Sequence, residues 1–361
     1  TIDINVNAYV NEGAAKSGAV QIFAIEGMSH TANCWIPFAQ ELFAQGLQGN
    51  AVSEFFAIDM PGRGGSGFPQ GFNPVSGTSF KLADMYLEDY LAVIRAAVHY
   101  LNAMPGIQID IIMGHSLGGL EVILLQDLLI AEGSNIRQEF GIGQAILLAP
   151  AVPAPLPWGF LGGGAAQLIP MAIDHPDHGW ILNIPYTIWP WLFFTNTCCH
   201  FMPGNPWGYP PSMVPGAPTP AQVLANGYNS IEAGPLLFHM AGLPFAILDP
   251  ASHHPTRPRV GANPGIFGPQ HGVVLTIIAE EFDKMMTPEE EAENYEYLTG
   301  DTQAKRLIVI LGEDTCHDIH ISDPHKLVQA LNQLVYPVPL GRWAIYLGLA
   351  LMFAFLIFRF R

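Results

Sequence analysis

The sequence is poor in positive charge. Its 361 residues include 14 Lys and Arg against 31 Asp and Glu, a formal net charge of −17. Such a surface repels a phosphate backbone, which excludes nucleic acid as a partner. Charge of either sign is scarce, at 12% of residues, against about 25% in ordinary soluble domains. With a mean hydropathy of +0.26, the composition leans toward lipid. Cysteine is also sparse: Cys34, Cys198, Cys199 and Cys316 are irregularly placed, with no Cys-x-x-Cys. That excludes a disulfide framework or a zinc ribbon, leaves the redox compartment open, and reads as buried, inert thiols. No Asn-x-Ser/Thr acceptor occurs. The chain opens at Thr1, which fits removal of either a methionine or a longer leader.

What is present is apolar and patterned. Half of the residues are hydrophobic, enough for one large α/β domain or a core with an inserted lid. Short apolar runs at Gln21–Glu26, Phe55–Asp59, Ile109–Met113 and Ala145–Leu148 each end in Gly or Pro and read as buried strands. Between them, Leu87, Tyr90, Leu91, Ile94, Val98 and Leu101 recur at helical spacing within Met85–Leu101. Strands alternating with helices predict a mainly parallel, doubly wound sheet covered on both faces. The pattern returns at Val273–Ala279 and Leu307–Leu311. Helices follow, opened by Thr287-Pro288-Glu289-Glu290 and by Asp323-Pro324, the latter running through Val335.

Two segments interrupt this core. From Gln138 to Thr256 there is no Lys or Arg, and Pro, Gly and Trp are dense. Proline at that spacing forbids long helices, so residues 154–268 read as an irregular apolar lid over the core. Trp180, Tyr186, Trp189 and Trp191 suit either contact with a lipid interface or the lining of an acyl pocket. At the other end, Trp343–Phe358 is uncharged and framed by Arg342 on one side and Arg359 and Arg361 on the other. At about 1.5 Å per residue it spans roughly 24 Å, and flanking arginines can snorkel to match a ~30 Å hydrocarbon core. It is apolar all round and reads as a single C-terminal transmembrane anchor, with an arginine bias too small to fix the side of the main domain. The expected organisation is a first core segment at 1–153, the lid at 154–268, a second core segment at 269–336, and linker plus anchor at 337–361.

The sharpest motif is Gly114-His115-Ser116-Leu117-Gly118, directly after the strand Ile109–Met113 and before the apolar helical run Leu120–Ile130. Glycines two before and two after the serine permit a tight strand-to-helix turn that exposes the Ser116 hydroxyl. The Leu117 N–H then sits at a helix start, facing a developing oxyanion. Two further stretches accompany it: Glu26-Gly27-Met28, and Asp59-Met60-Pro61-Gly62-Arg63-Gly64-Gly65-Ser66.

On these residues the sequence resembles the α/β-hydrolase superfamily, specifically its Ser-nucleophile, esterase and lipase-like members. The resemblance covers roughly residues 6–150 and 270–335, and neither the insertion nor the tail. It implies an α/β-hydrolase fold, with Ser116 as nucleophile and the N–H groups of Leu117 and Met28 as oxyanion hole. Glu26 stands where the family has a histidine. The family's order of serine, acid and histidine points to Asp283 in Glu280-Glu281-Phe282-Asp283-Lys284, with Glu281 and Asp314 as rivals. The alternative acid position, at 150–157, holds no carboxylate. His317, in Cys316-His317-Asp318-Ile319-His320, takes the place of the catalytic base, with His320 as the alternative and Cys316 in place of a glycine.

Other motifs read more plainly. Gly62-x-Gly64-x-x-Gly67 matches a dinucleotide fingerprint but follows Pro61 and precedes no helix, so it is a tight loop. Asp174-His175-Pro176-Asp177-His178 and His253-His254 read as exposed loops rather than metal sites. Glu289–Glu293 reads as a solvated helix start. The expectation is a membrane-anchored serine hydrolase that cleaves carboxylic esters of lipophilic substrates through an acyl-enzyme. It would need no metal or organic cofactor and would have membrane lipid as its neighbour. The alternatives are a noncatalytic α/β-hydrolase-fold subunit of a membrane protein complex, and an acyltransferase, lactonase or C–C hydrolase using the same triad.

Overall fold

The computed structural model describes residues 1–14, 18–74, 77–151, 172–183, 231–233, 261–281, 283, 285–303, 305–311 and 317–333. The strands in chain order are β1 (Val6–Val10), β2 (Val20–Ile25), β3 (Val52–Ile58), β4 (Phe72–Asn73), β5 (Thr78–Ser79), β6 (Ile111–His115), β7 (Gln144–Leu148), β8 (Ala172–His175), β9 (Gly179–Asn183), β10 (Ile231–Ala233), β11 (Val274–Glu280) and β12 (Leu307–Ile310). The helices are α1 (Ile36–Gln45), α2 (Leu87–Asn102), α3 (Leu117–Ala131), α4 (Ile136–Phe140), α5 (Pro288–Thr299), α6 (Ile319–Ser322) and α7 (Pro324–Gln333).

Seven strands form the central sheet in the order β1-β3-β2-β6-β7-β11-β12. Only β1 is antiparallel, pairing Val6–Val10 with Glu54–Ile58, and the other neighbours run parallel. All seven residues of β3 and all five of β6 are buried, as expected of parallel strands covered on both faces. The six central-sheet strands expected from apolar runs are present with ends shifted by up to three residues. The edge strand β1 and helix α1 were not foreseen, because neither carries a long periodic run.

The sheet order explains where a site can form. From β2 the chain crosses to β3 on one side, whereas β6 lies on the other. The carboxyl ends of β2 and β6 are therefore the switch point of the sheet, where a crevice usually receives the ligand in open α/β sheets. The β2 loop carries Met28 and the β6 loop carries Ser116. Helix α3 begins directly at that switch point and is buried on nearly every side, including Glu121, Gln126 and Asp127. Its polar groups are engaged: Gln126 Nε2 donates to the Ile266 carbonyl at 2.7 Å, and Asp127 Oδ1 accepts from Asn263 Nδ2 at 2.9 Å. Ile266 and Phe267, near the end of the inserted stretch, are packed into the main core.

Within the insertion, β8, β9 and β10 make a small antiparallel sheet. It sits on the core through the Ala83 N–H donating to the His178 carbonyl at 3.1 Å, and through the His178 ring stacked on Phe68 with centroids 4.0 Å apart. Asp174–His178 is the end of β8 and a hairpin turn, with Asp174, Pro176 and Asp177 exposed as expected and the His175 ring stacked on that of His178. His253-His254, Trp189, Trp191 and the tail Trp343–Phe358 lie outside the described residues. Among the described residues no helix is long and apolar enough to cross a membrane.

The start of α5 follows the sequence signals closely. Thr287 caps α5, its hydroxyl accepting from the Glu290 N–H at 3.2 Å while Glu290 returns to the Thr287 N–H at 2.9 Å. The acidic run that follows is only partly solvated, since Glu291 is fully buried and accepts from Asn294 Nδ2 at 3.1 Å. Burial pushes its carboxyl well above the ordinary range, which lets a neutral acid sit there. The Gly62–Gly67 stretch is a tight loop closed by Gly62 N–H on the Gly67 carbonyl at 3.0 Å, with no helix behind it.

Candidate active site

Ser116 stands between β6 and α3 with φ +50° and ψ −114°, a backbone conformation that L-residues avoid. The strain is held by three main-chain bonds. The Ser116 N–H donates to the Leu148 carbonyl at 2.9 Å, and the Ser116 carbonyl accepts from Leu120 at 3.1 Å and Ala151 at 3.0 Å. The flanking glycines are required sterically. A Cβ on Gly114 would collide with the Gly118 backbone, and one on Gly118 would lie 2.5 Å from the Ile25 carbonyl oxygen. The turn of β6 into α3 is possible only because both positions lack side chains.

The loop after β2 reaches the same place. A Cβ on Gly27 would come within 2.6 Å of His115 Nδ1 and 3.3 Å of Ser116 Cβ, so the Gly27–Met28 turn lies directly against the Ser116 turn. Leu117 is the first residue of α3, and a first-turn N–H has no partner within its own helix. Both Met28 and Leu117 are buried.

Glu26, where the resembled family has histidine, is buried and works as a brace. Its Oε1 accepts from the Met60 N–H at 2.7 Å and faces Arg63 Nη1 at 3.3 Å, and Arg63 also donates to the Gly27 carbonyl at 2.9 Å. Burial pushes the Glu26 carboxyl up to about 8, opposed by the Arg63 charge. The folded state therefore binds a proton that the unfolded state releases near the ordinary value of about 4.3, and this contribution is lost as pH rises through about 8. We expect the melting temperature of the wild type, relative to Glu26→Gln, to fall between pH 5 and pH 9. A gap constant across that range would show Glu26 ionised throughout. Asp59 fixes the same region from below, with Oδ1 accepting from the Ala32 N–H at 2.7 Å and Oδ2 from the Gly65 N–H at 2.9 Å.

The remaining candidates come from the second core segment. Asp283 lies just past β11, with Oδ1 accepting from the N–H groups of Met285 at 2.7 Å and Met286 at 3.2 Å. Its other oxygen faces His317 Nδ1 at 2.7 Å, and both side chains are buried. The His317 ring centre is 4.8 Å from that of His115, the residue before Ser116. Burial pulls the His317 imidazole down, but the Asp283 carboxylate outweighs it and holds the ring above its ordinary range. Of the rivals, Glu281 is exposed, Asp314 lies outside the described residues, and His320 packs against Trp35 with ring centres 4.7 Å apart.

His30 is not marked by any motif in the sequence, and Asp318 appears there only as the neighbour of His317 in Cys316-His317-Asp318-Ile319-His320, with no role of its own. His30 Nδ1 donates to the Met28 carbonyl at 2.8 Å, and the fully buried Asp318 Oδ1 lies 3.4 Å from His30 Nε2 and 3.3 Å from His115 Nε2. Among the described residues these three are the group with donor atoms close enough to hold a metal, within 4.8 Å of one another. His115 Nε2, however, donates its proton to the His317 carbonyl at 2.8 Å, a bond a metal ligand could not make. A cavity of about 1090 Å³ opens between β1 and α2 on the far edge of the sheet, and none of Ser116, Asp283 or His317 lines it.

Comparison with known proteins agrees with this architecture. An enol-lactonase from Burkholderia xenovorans LB400 superposes with a TM-score of 0.50 at 13% identity, covering 91% of this chain and 95% of that one. A variant of the pyrethroid hydrolase PytH gives a TM-score of 0.50 at 15% identity, covering 90% of this chain and 99% of that one. At such identities the likeness is one of fold. No curated protein matches the sequence. The family model described as "Alpha/beta hydrolase family" matches residues 27–330. The chain therefore belongs to the alpha/beta hydrolase family.

Proposed function

We propose that the protein is a serine hydrolase that cleaves carboxylic esters of lipophilic substrates through an acyl-enzyme. The observation that carries this reading is the buried Asp283–His317 contact of 2.7 Å, beside a serine at φ +50°. In the proposed cycle, His317 takes the Ser116 proton as the hydroxyl attacks the ester carbonyl. Asp283 holds the ring with Nδ1 protonated and stabilises the imidazolium that forms. The Met28 and Leu117 N–H groups donate to the developing oxyanion, His317 returns the proton to the leaving alkoxide, and water then releases the acid by the same steps with water as the attacking group.

The lipophilic side of the reading rests on sequence. The stretch 138–256 lacks Lys and Arg, and the uncharged Trp343–Phe358 would anchor the chain at a membrane where such substrates collect. The test is a series of p-nitrophenyl esters from acetyl to dodecanoyl. Burying each methylene is worth about 0.8 kcal/mol at most. Even partial burial should raise kcat/KM at least about 10-fold between the four- and ten-carbon acyl groups. Activity highest on acetate and falling with length would overturn the lipophilic assignment while leaving the hydrolase reading intact.

A further inference from the structure

We propose that Asp318 is a positioning residue that holds the oxyanion turn, the nucleophile elbow and the base loop in one geometry, acting through His30 and His115. The proposal rests on the serine-hydrolase reading of this site. The three units arrive from three different strands, β2, β6 and β12, and nothing in local sequence sets their spacing. Asp318 follows His317 directly, and its carboxylate is fully buried. One oxygen, Oδ1, meets both His30 Nε2 at 3.4 Å and His115 Nε2 at 3.3 Å.

Each ring passes the contact onward. Carbonyl oxygens only accept, so His30 Nδ1 carries a proton into its 2.8 Å bond with the Met28 carbonyl, and His115 Nε2 carries one into its 2.8 Å bond with the His317 carbonyl. The other ring nitrogen, His30 Nε2, faces the Asp318 carboxylate at 3.4 Å. His115 stays neutral, because burial and the neighbouring imidazoles His320, His317 and His30 push it well below its ordinary range. Burial by itself would raise the Asp318 carboxyl, but the surrounding imidazoles, His30 first and then His320 and His317, together hold it below its ordinary range.

The consequence is specific. His30 fixes the peptide on which the Met28 N–H is carried, and His115 ties the residue before Ser116 to the backbone of His317. Removing the charge on Asp318 loosens all three together, and their alignment matters most when the oxyanion forms. A burial defect alone would instead lower the amount of folded protein without changing the turnover of each folded site.

The test uses the full chain and the variants Asp318→Asn, His30→Gln and their double. Active sites are counted by a fluorophosphonate, so that kcat refers to competent molecules only. Asp318→Asn is expected to lower kcat about 10- to 100-fold, the cost of misplacement on the ångström scale, with KM within about threefold. The double variant should be no worse than the poorer single, because both break one linkage. Asp318→Asn with wild-type kcat per titrated site, or losses that multiply in the double, would overturn the proposal even if melting temperatures fall. A wild-type chain that takes no fluorophosphonate overturns the hydrolase reading and this proposal with it.

Discussion

Ser116→Ala is expected to lower kcat on an activated ester by about 10⁶-fold, the scale seen when the nucleophile of such a unit is deleted. The protein should remain folded, since the three main-chain bonds that hold residue 116 do not involve its side chain. Alanine bears the same φ +50° strain as serine, so the melting temperature should change little. Deleting the base should cost nearly as much, and Ser116→Ala/His317→Ala should be no slower than either single variant, because nucleophile and base act as one device. Residual turnover above the water rate would report what the Met28 and Leu117 N–H groups contribute alone. A Ser116→Ala protein retaining even a tenth of wild-type kcat would remove the nucleophile from this account.

The second large effect is expected at Asp283. In Asp283→Asn the amide can turn a donor toward His317 Nδ1, which then keeps its lone pair there and places the proton on Nε2. A base protonated on Nε2 cannot take the serine proton, and kcat should fall by about 10⁴-fold. The pH profile carries a second signature. In the proposed cycle His317 works as a neutral base, so activity should appear as pH rises through its pKa. In the wild type the Asp283 carboxylate holds that pKa above the ordinary value, and the ascending limb of kcat/KM should lie above about 6.5. Without the carboxylate, burial is no longer outweighed and the limb should move to lower pH. A limb that stays in place while kcat falls would mean that Asp283 supports the loop but does not face the base in the working enzyme.

Much of this site could be read from the chain because its parts are local. The elbow of Gly114 to Gly118 is a steric statement about one turn, and a Cβ at either glycine would clash with backbone in the way that spacing implies. Asp283 and His317 follow strands whose apolar runs are plain in sequence. The helix cap at Thr287 is equally short-ranged. What could not be read joins distant segments. Glu26 looked like a departure at the oxyanion turn, and its role as a brace to Met60 and Arg63 depends on a contact across more than thirty residues. His30, His115 and Asp318 meet because β2 and β6 are neighbours and the segment from His317 to α6 packs against both. Glu291 shows the reverse error: a run of acids at a helix start suggested water, but one turn of α5 points its side chain into the interior.

The lid and tail follow a different logic. Their expected roles rest on composition, the absence of basic residues from 138 to 256 and the uncharged stretch near the end. Composition speaks to what a surface favours rather than to where each residue sits. The ester series tests that part of the account separately from the chemistry.

The central claim is that Ser116 is an activated nucleophile, and the most direct measurement is covalent labelling by a fluorophosphonate followed by peptide mass spectrometry. The account predicts rapid stoichiometric labelling of the wild type, with the adduct on the peptide containing Ser116. It also predicts no labelling of Ser116→Ala and slowing by several orders of magnitude in His317→Ala. Folded wild-type protein that takes no label, or label on a residue other than Ser116, would contradict it and favour a noncatalytic role for the fold.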